Sequence, residues 1–561
     1  MMSRIIRNRD IISDKEIEEY LYGGTESLYD PFLMKGMKEA VPLLFDTIKN
    51  GGRIRIIGDY DTDGVCSSYI LKRYLQSIGA DADIRLPNRM MEGYGMNADM
   101  VDEAAQDGIS LILTCDNGVS SYDAVERAKE KNIPVIVSDH HEVPQPLIEA
   151  DVVIDAKQPD CEYPYKELCG AGVAYKIVCA LQCCLETYLP QADRTASASL
   201  LEQELLVFAG IATIADVVSL TGENRIIAKE GIKRIKETEN TGLLALIRAR
   251  NLEPSQIVSY HIGFIIAPCI NSAGRLQDAE LALDLFESSD RQEAETIAYR
   301  LSALNEERKS MTAVQTHIAQ GIVKEIEERQ GSLPKVLVLY LPEAHESIAG
   351  IIAGRLKEDY ARPVLVLTNA EDGIKGSGRS VTAYPMIEEL RKHSTLFAKL
   401  GGHAKAAGFT LNKGVTPEQV EQELNQSCEL TEEMLQEKIW IDMQLPFAYV
   451  SEGFIQELCR LEPFGIGNER PVFAEKNLRV HKVLVLGKNN QVLKLELEDA
   501  SGMILEAIRY GSEEQIAKEA DCLIEGKEKE GDDYRISILY YPGINEFRGR
   551  RTVQLRIQEF I

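Results

Sequence analysis

Three acidic clusters in the first third of this 561-residue chain each follow a short apolar run. Asp59-Tyr60-Asp61-Thr62-Asp63-Gly64 follows Arg53-Ile54-Arg55-Ile56-Ile57, Asp116-Asn117-Gly118 follows Leu111-Ile112-Leu113, and Asp139-His140-His141 follows Ile133-Pro134-Val135-Ile136-Val137. Carboxylates brought together repel one another unless a cation sits between them. This donor set is mostly Asp, with one or two His and no Cys in a ligand pattern. It suits Mn²⁺ or Mg²⁺ better than a structural Zn²⁺. The metal candidates are Asp61, Asp63, Asp116, His140 and Asp216, enough for two ions. Asp216 enters as a lone carboxylate in Ile211-Ala212-Thr213-Ile214-Ala215-Asp216-Val217-Val218, where a buried Asp needs a partner. Taken singly, the clusters read as Asp-rich turns, helix caps or a solvated His loop. Together, each at the end of an apolar run, they point to one metal centre.

Positioning these residues requires a particular fold. The three runs are short, apolar and rich in β-branched residues, as buried parallel strands are. Amphipathic helices are predicted between them, around residues 66–78 and 122–131. That alternation gives a doubly wound α/β sheet whose post-strand loops converge at the carboxyl edge.

The remaining chain divides by composition. Residues 1–50 form a helical lead-in, the metal-bearing α/β domain spans 51–237, and a helical segment spans 238–289. Residues 290–330 have no Pro and no Gly before Gly321, and predict a long connecting helix. A second α/β lobe, 331–435, opens with a strand at Val336-Leu337-Val338-Leu339-Tyr340. It continues with a helix over residues 347–360 and a parallel strand at Pro363-Val364-Leu365-Val366-Leu367. This lobe carries Gly376-Ser377-Gly378-Arg379-Ser380 and Gly401-Gly402-His403-Ala404-Lys405-Ala406-Ala407-Gly408-Phe409. These are expected to be Gly-rich loops whose backbone approaches phosphates, or else turns before a helix packed through Ala406 and Ala407. Ser377, Arg379, Gly402 and His403 are the substrate-binding candidates there, with Arg275 of Asn271-Ser272-Ala273-Gly274-Arg275 reaching toward the same phosphates or capping a helix. From Trp440 to residue 561, six short strands are expected, at residues 478–486, 491–497, 503–509, 521–527, 534–541 and 552–558. They suggest an OB-like β-barrel. Arg548, Arg550 and Arg551, with Phe547 and Tyr541, are its candidates for single-strand binding. Asp532, Asp533 and Glu546 nearby leave a purely structural barrel open.

Composition bounds the class. The net charge of −27 argues against a protein that coats nucleic acid nonspecifically, though not against an enzyme with a local basic track. The hydrophobic fraction of 44% supports packed cores, and no stretch is expected to span a membrane. The 11 cysteines are scattered and read as reduced thiols of a cytoplasmic protein.

The triplet Asp139-His140-His141, followed in order by Leu168-Cys169-Gly170-Ala171-Gly172-Val173-Ala174, the Asn271, Gly376 and Gly401 motifs, and Glu462-Pro463-Phe464-Gly465-Ile466-Gly467-Asn468, resembles the RecJ-like single-strand-specific exonucleases of the DHH phosphoesterase superfamily. The resemblance covers nearly the whole chain. It implies a DHH catalytic domain, a DHH-associated (DHHA1) substrate-binding lobe and an OB-fold. It also implies hydrolysis of single-stranded DNA in the 5′-to-3′ direction with release of 5′-mononucleotides, in DNA repair and recombination. The chemistry expected is two-ion phosphodiester hydrolysis with Asp116 bridging ions spaced about 3.5–4 Å apart. By the same resemblance His141 contacts the scissile phosphate, while Asp59 and Asp139 support the centre. Several superfamily members carry a metal-binding His four residues before the first Asp of the Asp-x-Asp pair. Here that position is Ile57, and Asp59 is the candidate to replace it. Single-strand-binding protein and a helicase are candidate partners of an expected monomer. Two rival functions stand beside this one: a small-substrate phosphoesterase for oligonucleotides or cyclic dinucleotides, and a non-catalytic replication scaffold.

Overall fold

The computed structural model describes residues 1–561 apart from Met90, Asp372, Glu437, Asp532, Asp533 and Arg548. Its first sheet has the order β2-β1-β3-β4-β5, formed by β1 (Arg53–Ile57), β2 (Asp81–Arg85), β3 (Leu111–Thr114), β4 (Val135–Ser138) and β5 (Val152–Ile154). All neighbours are parallel. Such pairing needs crossover connections; the helices Thr62–Ser77, Ala98–Gln106 and Tyr122–Lys131 supply three of them, and a loop over residues 139–151 supplies the one from β4 to β5. The chain winds outward in both directions from β1 and β3. The loops after these two strands therefore diverge at the switch point, where a crevice opens.

The 40-residue helix Arg291–Gln330 leaves this lobe. Asp290 caps its start, accepting from the Glu293 amide at 2.8 Å, and Gly331 in a left-handed conformation stops it. Its first half buries Ala294, Ala298, Leu301 and Leu304 in the core of the first lobe. Its second half buries Ala319, Val323 and Ile326 against the second lobe. One rigid element, roughly 60 Å long at 1.5 Å per residue, thus belongs to both cores.

The second sheet has the order β6-β7-β8-β10-β9. β6 (Leu337–Tyr340) and β7 (Val364–Ala370) are parallel around the helix Glu346–Tyr360, as the sequence predicts. The Gly-rich motifs are not loops. Residues Gly373–Arg379 form β8, and Phe397–His403 (β9) and Ala406–Leu411 (β10) form an antiparallel hairpin. Ala406 and Ala407 therefore lie in a strand and not in a helix; alternate burial of Ala407 and Phe409 rewards the extended chain.

The third sheet, β11 (Met443–Gln444), β12 (Phe473–Leu486), β13 (Val492–Glu498), β14 (Ile504–Tyr510), β15 (Arg535–Phe547) and β16 (Arg550–Phe560), closes through the β12–β15 pairing into a barrel. The strand expected at 521–527 is instead part of the helix Glu513–Glu530. Ser512 caps it, and Ile516, Ala520 and Leu523 recur at helical spacing toward the barrel core. The N-terminal lead-in is split between bodies. Ile5 and Ile6 are buried in the barrel core, whereas Met37, Val41 and Leu44 belong to the first lobe.

One helical run, Arg194–Ala215, is long and apolar enough to cross a bilayer by length and composition, contrary to the sequence expectation. Its Leu206–Ala215 part packs against the helices Thr62–Ser77 and Gly222–Ile235, which accounts for its apolar character.

The Glu462–Asn468 motif fastens barrel to first lobe. Arg225, 3% exposed, donates to the carbonyls of Leu461 (2.8 Å), Arg460 (3.3 Å) and Tyr20 (3.2 Å) and lies 4.0 Å over the Tyr20 ring. Buried Asn468 donates to the Leu461 and Pro463 carbonyls and accepts from the Tyr20 hydroxyl at 2.7 Å. The Leu220 amide donates to the Ile466 carbonyl at 2.7 Å. Arg225→Met should leave several buried carbonyls unpaired and weaken barrel docking by ~3 kcal/mol. Scanning calorimetry should show an early, separate barrel transition, with faster proteolysis in residues 462–468. A single transition at the parent temperature would show that Arg225 is not the fastener.

Candidate metal centre and interlobe cleft

The loops after β1, β3 and β4 meet as predicted. Asp61 caps the helix Thr62–Ser77, accepting from the Asp63 and Gly64 amides at 2.9 and 3.2 Å. Asp63, fully enclosed, accepts from the Gly170 and Ala171 amides at 2.6 and 2.8 Å, at the N-terminus of Gly170–Tyr188. A β-carbon on Gly170 would lie 2.5 Å from the Asp116 β-carbon, so only glycine lets this helix approach. Asn271 accepts from the Thr62 amide and hydroxyl at 2.8 and 2.9 Å, fixing the Asp61 turn from the helix Ala267–Leu276.

At the centre itself, Asp116 at φ 61° and Val217, next to Asp216, at φ 63° sit in the left-handed backbone region although neither is glycine. For a β-branched residue this is strained, and strain of that kind persists where function demands it.

The donors form three groups, each with its ligand atoms within 4.8 Å of one another: Asp63/His140/Asp216, Asp59/Asp61/Asp116 and Asp116/His140/His141. His140 Nε2 lies 3.0 Å from Asp116 Oδ1, 3.7 Å from Asp63 Oδ2 and 3.8 Å from Asp216 Oδ2. It makes no hydrogen bond there, and the buried Asp59 Oδ1 is likewise unpaired. Burial, followed by the charge of Asp61, raises the Asp59 carboxyl well above its usual range and brings Asp63 to about 6. Burial and then Asp63 raise both Asp116 and Asp216. Burial, then His141, lowers His140 to about 3, so its ring is neutral. Unpaired lone pairs aimed at one another among carboxylates that resist ionising are what a divalent cation relieves. The donor set fits Mn²⁺ or Mg²⁺.

Asp139 stands differently. It accepts from the Val119, His140 and His141 amides and from His141 Nδ1 at 2.7 Å. Burial works against its ionisation, but the His141 hydrogen bond and charge prevail and lower it. Burial also disfavours charge on His141, yet its bond to Asp139 dominates and raises it to about 9. Asp139 thereby orients a charged His141 without belonging to a donor group. The Tyr94 hydroxyl joins them, 3.1 Å from His141 Nδ1 and donating to the Asp116 carbonyl at 2.9 Å.

Beside this centre a cleft of about 520 Å³ opens between the lobes. Arg89, Arg275, Lys375, Arg379 and Lys399 line it, with Ser377 and one carboxylate, Glu346, which Lys375 pairs at 3.0 Å. Arg379 Nη1 is braced by the Ser377 hydroxyl (3.1 Å) and the Gly378 carbonyl (2.8 Å). Arg275 neither caps a helix nor forms an ion pair among the described residues. It lines the cleft and donates to the Ser347 carbonyl across the lobes at 2.8 Å. Burial, then Arg89 and Arg308, lowers it to about 10, as befits a cation lacking a carboxylate partner. Gly402, at φ 142°, pairs with Ala407 where a side chain would strike the Ala406 carbonyl, and His403 stands exposed at the end of β9, within the field of Arg379 and His141.

Among the described residues, the barrel candidates Arg550, Arg551 and Tyr541 do not line this cleft. Arg550 and Arg551 are exposed on the β15–β16 hairpin, with Arg551 opposite Glu546. Arg548 lies outside the described residues. Tyr541 is buried, with Arg470 4.4 Å over its ring, so it offers no face to a base. Reading from sequence missed Arg89 and Tyr94. Both follow β2, whose loop also opens at the carboxyl edge; that position was the available signal.

Family models match in chain order: the DHH family N-terminal domain over residues 53–211, the DHHA1 domain over 333–435 and the RecJ OB domain over 441–559. The single-stranded-DNA-specific exonuclease RecJ of Escherichia coli K12 is 32% identical over 99% of this chain and 95% of its own length. That of Bacillus subtilis 168 is 32% identical over the whole chain, which spans 67% of it. The crystal structure of RecJ from Thermus thermophilus in complex with Mn²⁺ superposes with a TM-score of 0.79 at 26% identity, covering 100% of this chain and 75% of that one. With its donor loops, basic cleft and barrel in the same order, the chain belongs to the RecJ family.

Proposed function

We propose that the chain is a Mn²⁺- or Mg²⁺-dependent exonuclease that hydrolyses phosphodiester bonds of single-stranded DNA. The observation that carries this is the chain of three-donor groups, joined to one another through Asp116 and through His140, beside a cleft with five basic side chains. Relatives named single-stranded-DNA-specific exonucleases over the full chain length support the substrate, and a RecJ structure in complex with Mg²⁺ stands beside the Mn²⁺ form. Asp61, Asp63, Asp116, His140 and Asp216 would hold two cations, with Asp59 in the place Ile57 cannot fill, since Ile57 is buried in the apolar core behind β1. When bound, the ions supply Lewis acidity toward a water and toward phosphate oxygens.

The chain's own residues do the rest. His140 offers a neutral lone pair. His141, kept charged by Asp139, faces the charge of the scissile phosphate. Arg379, Arg275, Ser377 and the Gly402–His403 end of β9 hold the phosphate chain, and Arg89 adds a guanidinium from the β2 loop. Digestion from the 5′ end, release of 5′-mononucleotides, a role in repair and recombination, a cytoplasmic location, and action alongside single-strand-binding protein and a helicase rest on family membership. The small-substrate and scaffold alternatives are not favoured. The barrel is present and matches the RecJ OB domain, and the donor positions are filled. Hydrolysis of 5′- and 3′-labelled single strands beside duplex, with and without Mn²⁺, tests substrate, polarity and metal dependence together.

Asp116→Asn should lower turnover roughly a thousandfold, the equivalent of ~4 kcal/mol, and weaken Mn²⁺ binding in calorimetry. Parental turnover in saturating Mn²⁺ would sink the assignment. Arg379→Ala and His403→Ala should each cost about 10²–10³ in rate while Mn²⁺ binding stays parental, because they act on the phosphate. Loss of Mn²⁺ binding would place them wrongly. Removing both Arg550 and Arg551 should reduce the slope of log affinity against log salt by about 1.4 if each meets a phosphate of the strand. An unchanged slope would make the hairpin structural. Truncation at Trp440 is the poorer test, since Ile5 and Ile6 would lose the core that buries them.

A further inference from the structure

Tyr260 and Phe264 are 58% and 68% exposed, and their rings stack at 5.0 Å with planes 26° apart. The His261 ring meets Tyr260 edge-on at 5.9 Å. Large aromatic rings left in water are the exception on a protein surface, and here they form one step. They lie on a continuous helical rod, Ser259–His261 and Ile262–Ile266 leading into Ala267–Leu276, with a π-helical turn at Ile262–Ile266. Such turns are frequent at functional sites.

The position of this step is specific. The same rod carries Asn271, which holds the Asp61 turn, and Arg275, which lines the basic cleft. Asn271 follows Phe264 by seven residues, roughly 10 Å of helix. On its flank, Gly263 faces Ile214, two residues before Asp216, and exposed Val217 adjoins that carboxylate. At its start, the Ser259 hydroxyl donates to the Phe464 carbonyl at 3.2 Å, in the loop that docks the barrel, beside exposed Ile466. The step therefore stands on the helix that runs from the barrel-docking loop to the residues of the metal centre and the cleft.

We infer that Tyr260 and Phe264 form a stacking platform for nucleobases of the single strand as it passes from the barrel to the metal centre. This rests on the exonuclease function proposed above. Every base has a π-face, so such a platform grips a strand without reading its sequence. In a chain of net charge −27, it also supplies affinity that does not depend on cations. The two residues position the strand and take no part in the chemistry.

The test measures binding of labelled single strands of about twenty nucleotides by fluorescence anisotropy, in the Asp116→Asn background so that the strand survives. Tyr260→Ala with Phe264→Ala should bind roughly tenfold or more weakly. Both side chains are exposed, so truncation leaves no cavity, and Phe264→Trp should retain parental affinity. Abasic sites walked along the strand should weaken the parent at one or two positions and leave the double variant indifferent there. Stacking releases no counterions, so the ratio of parent to variant affinity should stay constant with salt, whereas Arg379→Ala should change the salt slope. A double variant that binds base-bearing and abasic strands as the parent does would overturn the platform. So would a defect that vanishes at high salt. A parent that binds no single strand at all would overturn the exonuclease function itself, and the platform with it.

Discussion

Like-charge repulsion among Asp59, Asp61, Asp63, Asp116 and Asp216 is the constraint on which the rest of the molecule depends. Among the described residues, no Lys or Arg of the first lobe forms an ion pair with them. The nearest imidazole, His140, is itself kept uncharged by burial. Backbone amides at helix starts face them instead: Gly170 and Ala171 toward Asp63, Asp63 and Gly64 toward Asp61. The parallel sheet enforces this crowding by delivering three loops to one edge, and a glycine admits the fourth approach. The centre is thus built for cations, and the basic side chains of the cleft stand apart from it, three of the five on the second lobe.

That separation explains the second lobe and the long helix. Arg379, Lys375 and Lys399 come from β8 and β9, Arg275 and Arg89 from the first lobe. Their mutual distance from the carboxylates must be held without a salt bridge that would neutralise either side. A helix whose two halves are buried in different cores holds it, together with the Arg275 bond to the Ser347 carbonyl. A strong overall negative charge and a local basic cleft are compatible for the same reason: the cleft focuses a field of one sign while the rest of the surface repels nucleic acid.

The barrel is set by a different kind of contact. Arg225 and Asn468 donate to backbone carbonyls, with the Tyr20 side chain bonded to one and beneath the other, so the docking loop is held largely by its backbone shape. The N-terminal helices close the arrangement by entering the barrel core, which ties the two ends of the chain together and leaves the Tyr260–Phe264 step open on the helix that runs from the docking loop to the residues of the centre.

Strand ends carrying Asp and His, the helical period of residues 291–330, and the alternation of strand and helix in the first lobe were legible from local sequence, because period and residue type act over a few residues. The metal class followed from donor chemistry alone. Other features were not legible. Glycine-rich motifs read as loops became β8–β10, since glycine is silent on whether a partner strand lies beside it. Residues 521–527 have strand-like composition over a short window but obey a helical period over the longer one that Ser512 starts. Arg225, Arg89 and Tyr94 gained roles only from what folds against them. The sequence by itself determined which residues could bind cations and which elements would carry them. Tertiary structure alone decided which donors share a site, which arginines line the cleft and which meet a carbonyl, and which aromatics stay in water, because each of these depends on distances between residues tens to hundreds of positions apart.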